Sequence, residues 1–322
     1  MSAAKKVSYL LVPLAVLASA WLHLAPVALA GLLSYMILDL THRALARRLS
    51  PVLSRGLALA VFLVAAVVLT WMFARFVRST IHTLPQIAST AIPRVIVLAE
   101  SNGIELPFDN VYELREMAIQ KIKEHAEAIT KTSEVLTVQF FNILIIVFVA
   151  ILAFFRPPAP GGGTDFCAEL GLQLGERTRT FMAGFEKVLG AQVLISAAYT
   201  VLTLAFLITM GFTHRIFLTL ATFLFGVMPV IGNIISNSII VATGLTLSTR
   251  HAAFALVFLI LIHKSGYFVY GRVLGSSLKV PMWQTLLAIL IGEVVMGVPG
   301  IILAPTVLHY AKEELRALPV SR

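Results

Sequence analysis

Two formally charged residues stand inside long apolar stretches: Lys264, beside His263, in Ala252 to Tyr270, and Glu293 in Met282 to Tyr310. A charge at the centre of a bilayer costs about 2.5–3.5 kcal/mol on insertion scales, so it persists when it is paired or faces water. If the two stretches run antiparallel, Lys264 lies about 18 Å from the start of its span and Glu293 about 15 Å from the opposite surface. A Lys264–Glu293 contact is therefore expected. Two roles fit it: Glu293 as a proton or cation site, or a static pair that fixes helix register. A second group precedes them. Asn233 and Asn237 are four residues apart, share one helix face, and follow directly on Pro229 and Gly232. Amides beside a broken membrane helix offer donors and acceptors to a polar solute.

These residues need an element to hold them. Ile216 to Leu247 contains no charge and is interrupted by Met228-Pro229-Val230-Ile231-Gly232-Asn233. An unbroken helix over that run would be about 48 Å long, against a hydrocarbon core of about 30 Å. Proline removes a helical donor and glycine admits unusual backbone angles, so a break near Pro229 is expected. Freed backbone groups survive at that depth only beside protein or water. The alternative is a proline-kinked span whose amides bond to a neighbouring helix. In the last stretch Gly292, Gly297, Pro299, Gly300 and Pro305 again point to a broken or closely packed helix.

Composition sets the class. Of 322 residues, 58% are hydrophobic and 13% charged, and the mean hydropathy is +0.91. A soluble domain carries about a quarter charged residues. The chain is all-α: a polytopic helical membrane protein, with some membrane segments expected to be broken or re-entrant, plus amphipathic helices. Its net charge of +9 fits cytoplasmic Lys and Arg that orient helices, and no nucleic-acid partner is expected. A single cysteine, Cys167, excludes an intrachain disulfide and a cysteine metal cluster. Neither a metal nor a cofactor is implied, and no paired-carboxylate, His-Glu-x-x-His or Gly-x-Ser-x-Gly arrangement marks an enzyme.

Along the chain, Lys5 and Lys6 precede a hairpin of two short spans, Val7 to Leu22 and Leu24 to Leu38, turning near His23 and Pro26, with a single oblique span as the alternative. A basic loop follows with His42, Arg43, Arg47, Arg48 and Arg55, expected in the cytoplasm. The third span is Gly56 to Phe76, with Trp71 in the aromatic belt. Val77 to Glu134 is polar, and within it Val111 to Ile129 has helical apolar spacing. Val135 to Phe155 is the fourth span. Arg156 to Gly163 reads as a linker, Thr164 to Val188 as an amphipathic helix, and Gly190 to Met210 as the fifth span. This gives three regions: 1–76, three spans with a basic loop; 77–134, a polar extramembrane segment; 135–322, a transport core with broken helices. Both termini are expected inside, in the inner (plasma) membrane. Simple alternation then puts Arg272 and Lys279 outside, against the charge rule, and a re-entrant break at Pro229 would invert that.

Several of these residues carry a likeness. Pro229 and Gly232 match a Pro-x-x-Gly in a late span, Gly266 and then Arg272 and Gly275 match the following loop, and Pro281 matches a proline opening the last span. Gly292, Gly297, Gly300, Pro305 and Lys312 match a glycine-rich final helix. In these the chain resembles the AI-2E family of membrane proteins, named after the quorum signal autoinducer-2. It departs at Ser265, where the family has a glutamate, at Gly271, where it has a proline, and at Glu293, which replaces one glycine of a pair. The resemblance implies about eight membrane segments, a transport role and homo-oligomers, with a pentamer as the candidate stoichiometry.

The leading expectation is a transporter exporting a small polar metabolite or signal such as autoinducer-2. The transport-path candidates are Pro229, Gly232, Asn233, Asn237, Lys264, Glu293, Gly297 and Gly300. Its partners are the lipid bilayer and a small-molecule or ion substrate. A sodium(lithium)/proton antiporter using Glu293 is the alternative. A membrane-anchored interaction protein, recruiting partners through Val111 to Ile129, is a third.

Overall fold

A computed structural model describes residues 2–103, 133–156, 165–273 and 281–317, without the side chains of 133–137, 263–273 and 282. Among the described residues there are ten helices and no strand. They are α1 (Ala3–Trp21), α2 (Ala25–Leu45), α3 (Pro51–Ser101), α4 (Ser133–Phe155), α5 (Phe166–Thr209), α6 (Arg215–Gly226), α7 (Ile231–Leu247), α8 (Thr249–Val273), α9 (Met282–Met296) and α10 (Val298–Ala317). Within α1 to α5 lie five helices long and apolar enough to cross a membrane. Their large apolar side chains face outward: Phe140, Phe141, Leu144, Ile145 and Phe148 of α4 are all more than half exposed. In water such a face would drive aggregation; in lipid it is ordinary solvent contact. The protein is a multi-pass helical membrane protein.

The first two helices form the expected hairpin. Leu22 N–H donates to Ala18 O at 2.9 Å and Leu24 N–H to Ser19 O at 2.8 Å. His23 takes φ 54°, and a proline opens α2, where its missing N–H costs nothing.

Two helices run further than their spans. The third was expected to end at Phe76, yet α3 has 51 residues and is about 75 Å long. Pro85 and Pro93 lie inside it without ending it. Thr83, Ile87 and Ala91 explain why. They recur every four residues and are all buried, so one packed stripe continues through the polar segment and outweighs two lost backbone bonds. Likewise, the amphipathic helix and fifth span expected at 164–188 and 190–210 are one rod, α5, of 44 residues. Gly190 alone costs about 1 kcal/mol of helix propensity, too little to break it. The amphipathic stretch Val111 to Ile129 lies outside the described residues.

The chain forms two compact units. The first comprises Met1–Val68, Phe140–Gln192 and Val273–Arg322. Its core packs Leu38, Ala58, Phe62 and Phe154 together. A polar cluster tightens it elsewhere. Arg177, 5% exposed, donates from Nε to Ser8 Oγ at 2.7 Å and from Nη1 to Glu314 Oε2 at 2.5 Å, and its guanidinium lies 3.4 Å from the centre of the Tyr9 ring. Arg43 bonds Glu186 and Asp39.

The second unit comprises Leu69–Gln139 and Val193–Arg272. Leu207, Phe212, Phe217, Leu218, Ile240 and Leu259 centre its core, with Phe76 stacked on Phe217 and Phe206 on Phe258. Buried hydroxyls bond back within their own helices, Thr222 to Leu218 O and Thr243 to Ile239 O, each at 2.8 Å. That satisfies them without water.

Candidate transport site

The expected break is present. Helix α6 stops at Gly226 and α7 starts at Ile231. Met228 N–H donates to Phe225 O at 2.8 Å, and Ile231 N–H reaches only two residues back, to Pro229 O, at 2.8 Å. That closes a γ-turn around Val230, which takes φ 65° and ψ −67°. A β-branched residue in this region stores about 1–3 kcal/mol of strain. The turn persists because its flanks are held. Ser196 Oγ donates to Phe223 O at 2.8 Å, occupying a carbonyl of the last turn of α6. Gly232 touches the end of α6 so closely that a Cβ there would sit 1.7 Å from the Phe225 carbonyl oxygen. Beyond the turn, Asn233 and Asn237 are half-buried. Among the described residues neither amide side chain has a hydrogen-bond partner, and α7 has no side-chain cap. Polar groups thus stand open on one face of a short helix just past the break.

A second break lies in the other unit. The last hydrophobic stretch is two helices, α9 and α10, joined at Gly297. Gly297 has φ 64° and ψ −148°, near a region open to glycine alone. The helices fold back on each other. A Cβ on Gly300 would lie 1.9 Å from Gly292 O. At the open end Lys312 Nζ donates to Gln284 Oε1. Both readings of this stretch, broken and closely packed, therefore hold together. Glu293 sits one turn before the hinge and is exposed. Among the described residues its carboxylate has no partner, and it lies at a helix C-terminus, where the backbone dipole disfavours negative charge.

The structure also contains a site that the sequence did not suggest. In the second unit a cleft of about 750 Å³ is walled by Trp71, Arg75, Arg78 and His82 of α3 and by His214 and Arg215 at the start of α6. Its one visible signal is the spacing of residues 75, 78 and 82 along a helix face. That signal stays hidden while 77–134 is read as a polar segment apart from the span.

The sequence as a whole now decides the family. The profile described as AI-2E family transporter matches residues 8–319 of the 322-residue chain. The chain belongs to the AI-2E transporter family. No curated protein matches the sequence. An AI-2E protein is a membrane transporter, so the activity to be explained is movement of a small molecule across the bilayer.

Against that activity, the expected site residues fall into two groups. Pro229, Gly232, Asn233 and Asn237 gather at the α6–α7 tip of this AI-2E transporter, and Glu293, Gly297 and Gly300 at the α9–α10 tip. Lys264 lies in α8 with its side chain outside the described residues, so the Lys264–Glu293 pair remains an expectation of the sequence.

Proposed function

We propose that this transporter exports a small polar metabolite or signal, autoinducer-2 being the candidate, past the broken α6–α7 element. The observation that carries the reading is the turn at Pro229, with a strained Val230 and, immediately after it, the amides of Asn233 and Asn237, which have no partner among the described residues. A helix break that exposes amides within an apolar chain is stable only where protein, water or a solute completes their bonding. The test is uptake into proteoliposomes across a panel of small polar solutes that includes autoinducer-2, with and without a proton gradient. Loss of transport in Asn233→Ala and Asn237→Ala, with melting temperature unchanged, supports the reading. Full transport by both variants overturns it.

A specific observation favours the antiporter as a second reading. The Glu293 carboxylate is exposed, unpartnered among the described residues, and one turn from a hinge. Glu293→Gln separates the two. A facilitator keeps its flux; an antiporter loses sodium- or lithium-dependent proton movement in vesicles.

The proposal includes a topology. Helices α6 and α9 have 12 and 15 residues, about 18 and 22 Å, too short for a core of about 30 Å. Each hairpin therefore enters and leaves on one side. With both termini in the cytoplasm, α8 then brings Arg272 back to the cytoplasmic side, in keeping with the charge rule. The Arg177 cluster supports the shared side of the termini, because it joins Ser8, Glu314 and the first half of α5.

A further inference from the structure

The cleft on α3 and α6 has no part in the proposed export path, and its chemistry is of another kind. Arg75, Arg78 and His82 form a stripe at i, i+3 and i+7 on α3, while His214 and Arg215 approach from the turn before α6. All five side chains are exposed. Among the described residues none has an ion pair or a hydrogen bond, and no acid lines the cleft. Like charges held together without a counter-charge repel one another, and a bound anion relieves that. The backbone adds donors. His214 takes φ 56° at the N-cap position and makes no side-chain cap bond. Arg215, Ile216 and Phe217, the first three residues of α6, line the cleft, and the amides of a first turn have no helical partner.

We propose that this cleft binds a phosphate group. Three guanidinium groups, each a planar fork of donors, fit phosphate oxygens in pairs. With the histidines and the α6 amides they supply donors from both walls, more than the two oxygens of a carboxylate can accept. The cleft also sits at a telling depth. Arg75 and Arg78 follow directly on the apolar stretch of α3, and exposed Trp71 stands beside them, as aromatic residues do at the headgroup level. The phosphate can therefore come from an anionic phospholipid or from a water-soluble phosphate ester, and the experiment distinguishes the two.

The full chain is purified with Trp21→Phe and Trp283→Phe, leaving Trp71 as the only tryptophan, and reconstituted in phosphatidylcholine nanodiscs. Trp71 fluorescence is titrated with glycerol 3-phosphate in one arm and with phosphatidylglycerol doped into the disc in the other. Saturable change in either arm, weakened by added salt, supports the proposal and identifies the source. Arg75→Gln, Arg78→Gln and Arg215→Gln should each weaken binding about tenfold, as loss of a charge-assisted pair does. Arg250→Gln, an exposed arginine of the same unit outside the cleft, should leave it unchanged. Because all three cleft arginines are exposed, the variants are expected to fold, and the melting temperature without ligand verifies it. No saturable response in either arm overturns the proposal. So does binding by the three variants as tight as that of the protein with all three arginines, or an equal response to succinate. None of these readouts depends on which solute is exported, so failure here leaves the export reading standing.

Discussion

Arg177 shows how a buried charge is kept in this molecule. Ser8, Glu314 and the Tyr9 ring surround its guanidinium, so burial is matched by hydrogen bonds, a counter-charge and a π face. Arg177→Met should cost about 3–5 kcal/mol, because it leaves the Glu314 carboxylate largely buried and unpaired. Adding Glu314→Gln should restore much of that loss, and thermal melts of the four proteins in detergent form the cycle that measures it. Thr306 is the opposite case. It is fully buried, and its hydroxyl has no partner among the described residues. Thr306→Val removes an unsatisfied polar atom at constant shape, so the melting temperature should hold or rise. A fall equivalent to about 1 kcal/mol or more would show that the hydroxyl does bond in the native protein.

At the scale of elements, stability rests on backbones that touch. Gly232 meets the Phe225 carbonyl, and Gly300 meets the Gly292 carbonyl. Neither neighbour is a flexible side chain that can swing away. Gly232→Ala and Gly300→Ala should each destabilise by about 3 kcal/mol or more, beyond ordinary overpacking, and each should lower the yield of folded protein on size-exclusion chromatography. Gly56→Ala, with open space around its Cα, is the control and should be neutral or slightly stabilising. The break at Pro229 was legible in the sequence because a proline and a glycine three residues apart interrupt an uncharged run too long for the bilayer. The hinge at Gly297 was legible only as a choice between breaking and packing, since glycines serve both ends. The lengths of α3 and α5 were not legible. Polar residues after Phe76 look like a loop until the buried stripe Thr83, Ile87, Ala91 shows what they pack on. Nor was the basic cleft, because its walls come from segments more than a hundred residues apart in the sequence, and spacing within one segment cannot report the other.

For the whole molecule the testable statement concerns sidedness. Ser277→Cys in a Cys167→Ser background isolates one thiol, Cys167 being free and exposed. An impermeant thiol reagent should label it in inside-out vesicles and spare it in intact cells. Labelling from outside would mean that α6 and α7 together cross the bilayer once, and the re-entrant topology would fail. The short hairpins also bear on how the protein is made. A translocon releases segments into lipid when each is apolar and long enough to be stable alone. At 12 and 15 residues, α6 and α9 do not qualify alone. They must therefore wait for α7 and α10, so in the last third of the chain biogenesis is a matter of pairing helices before they leave the insertion machinery.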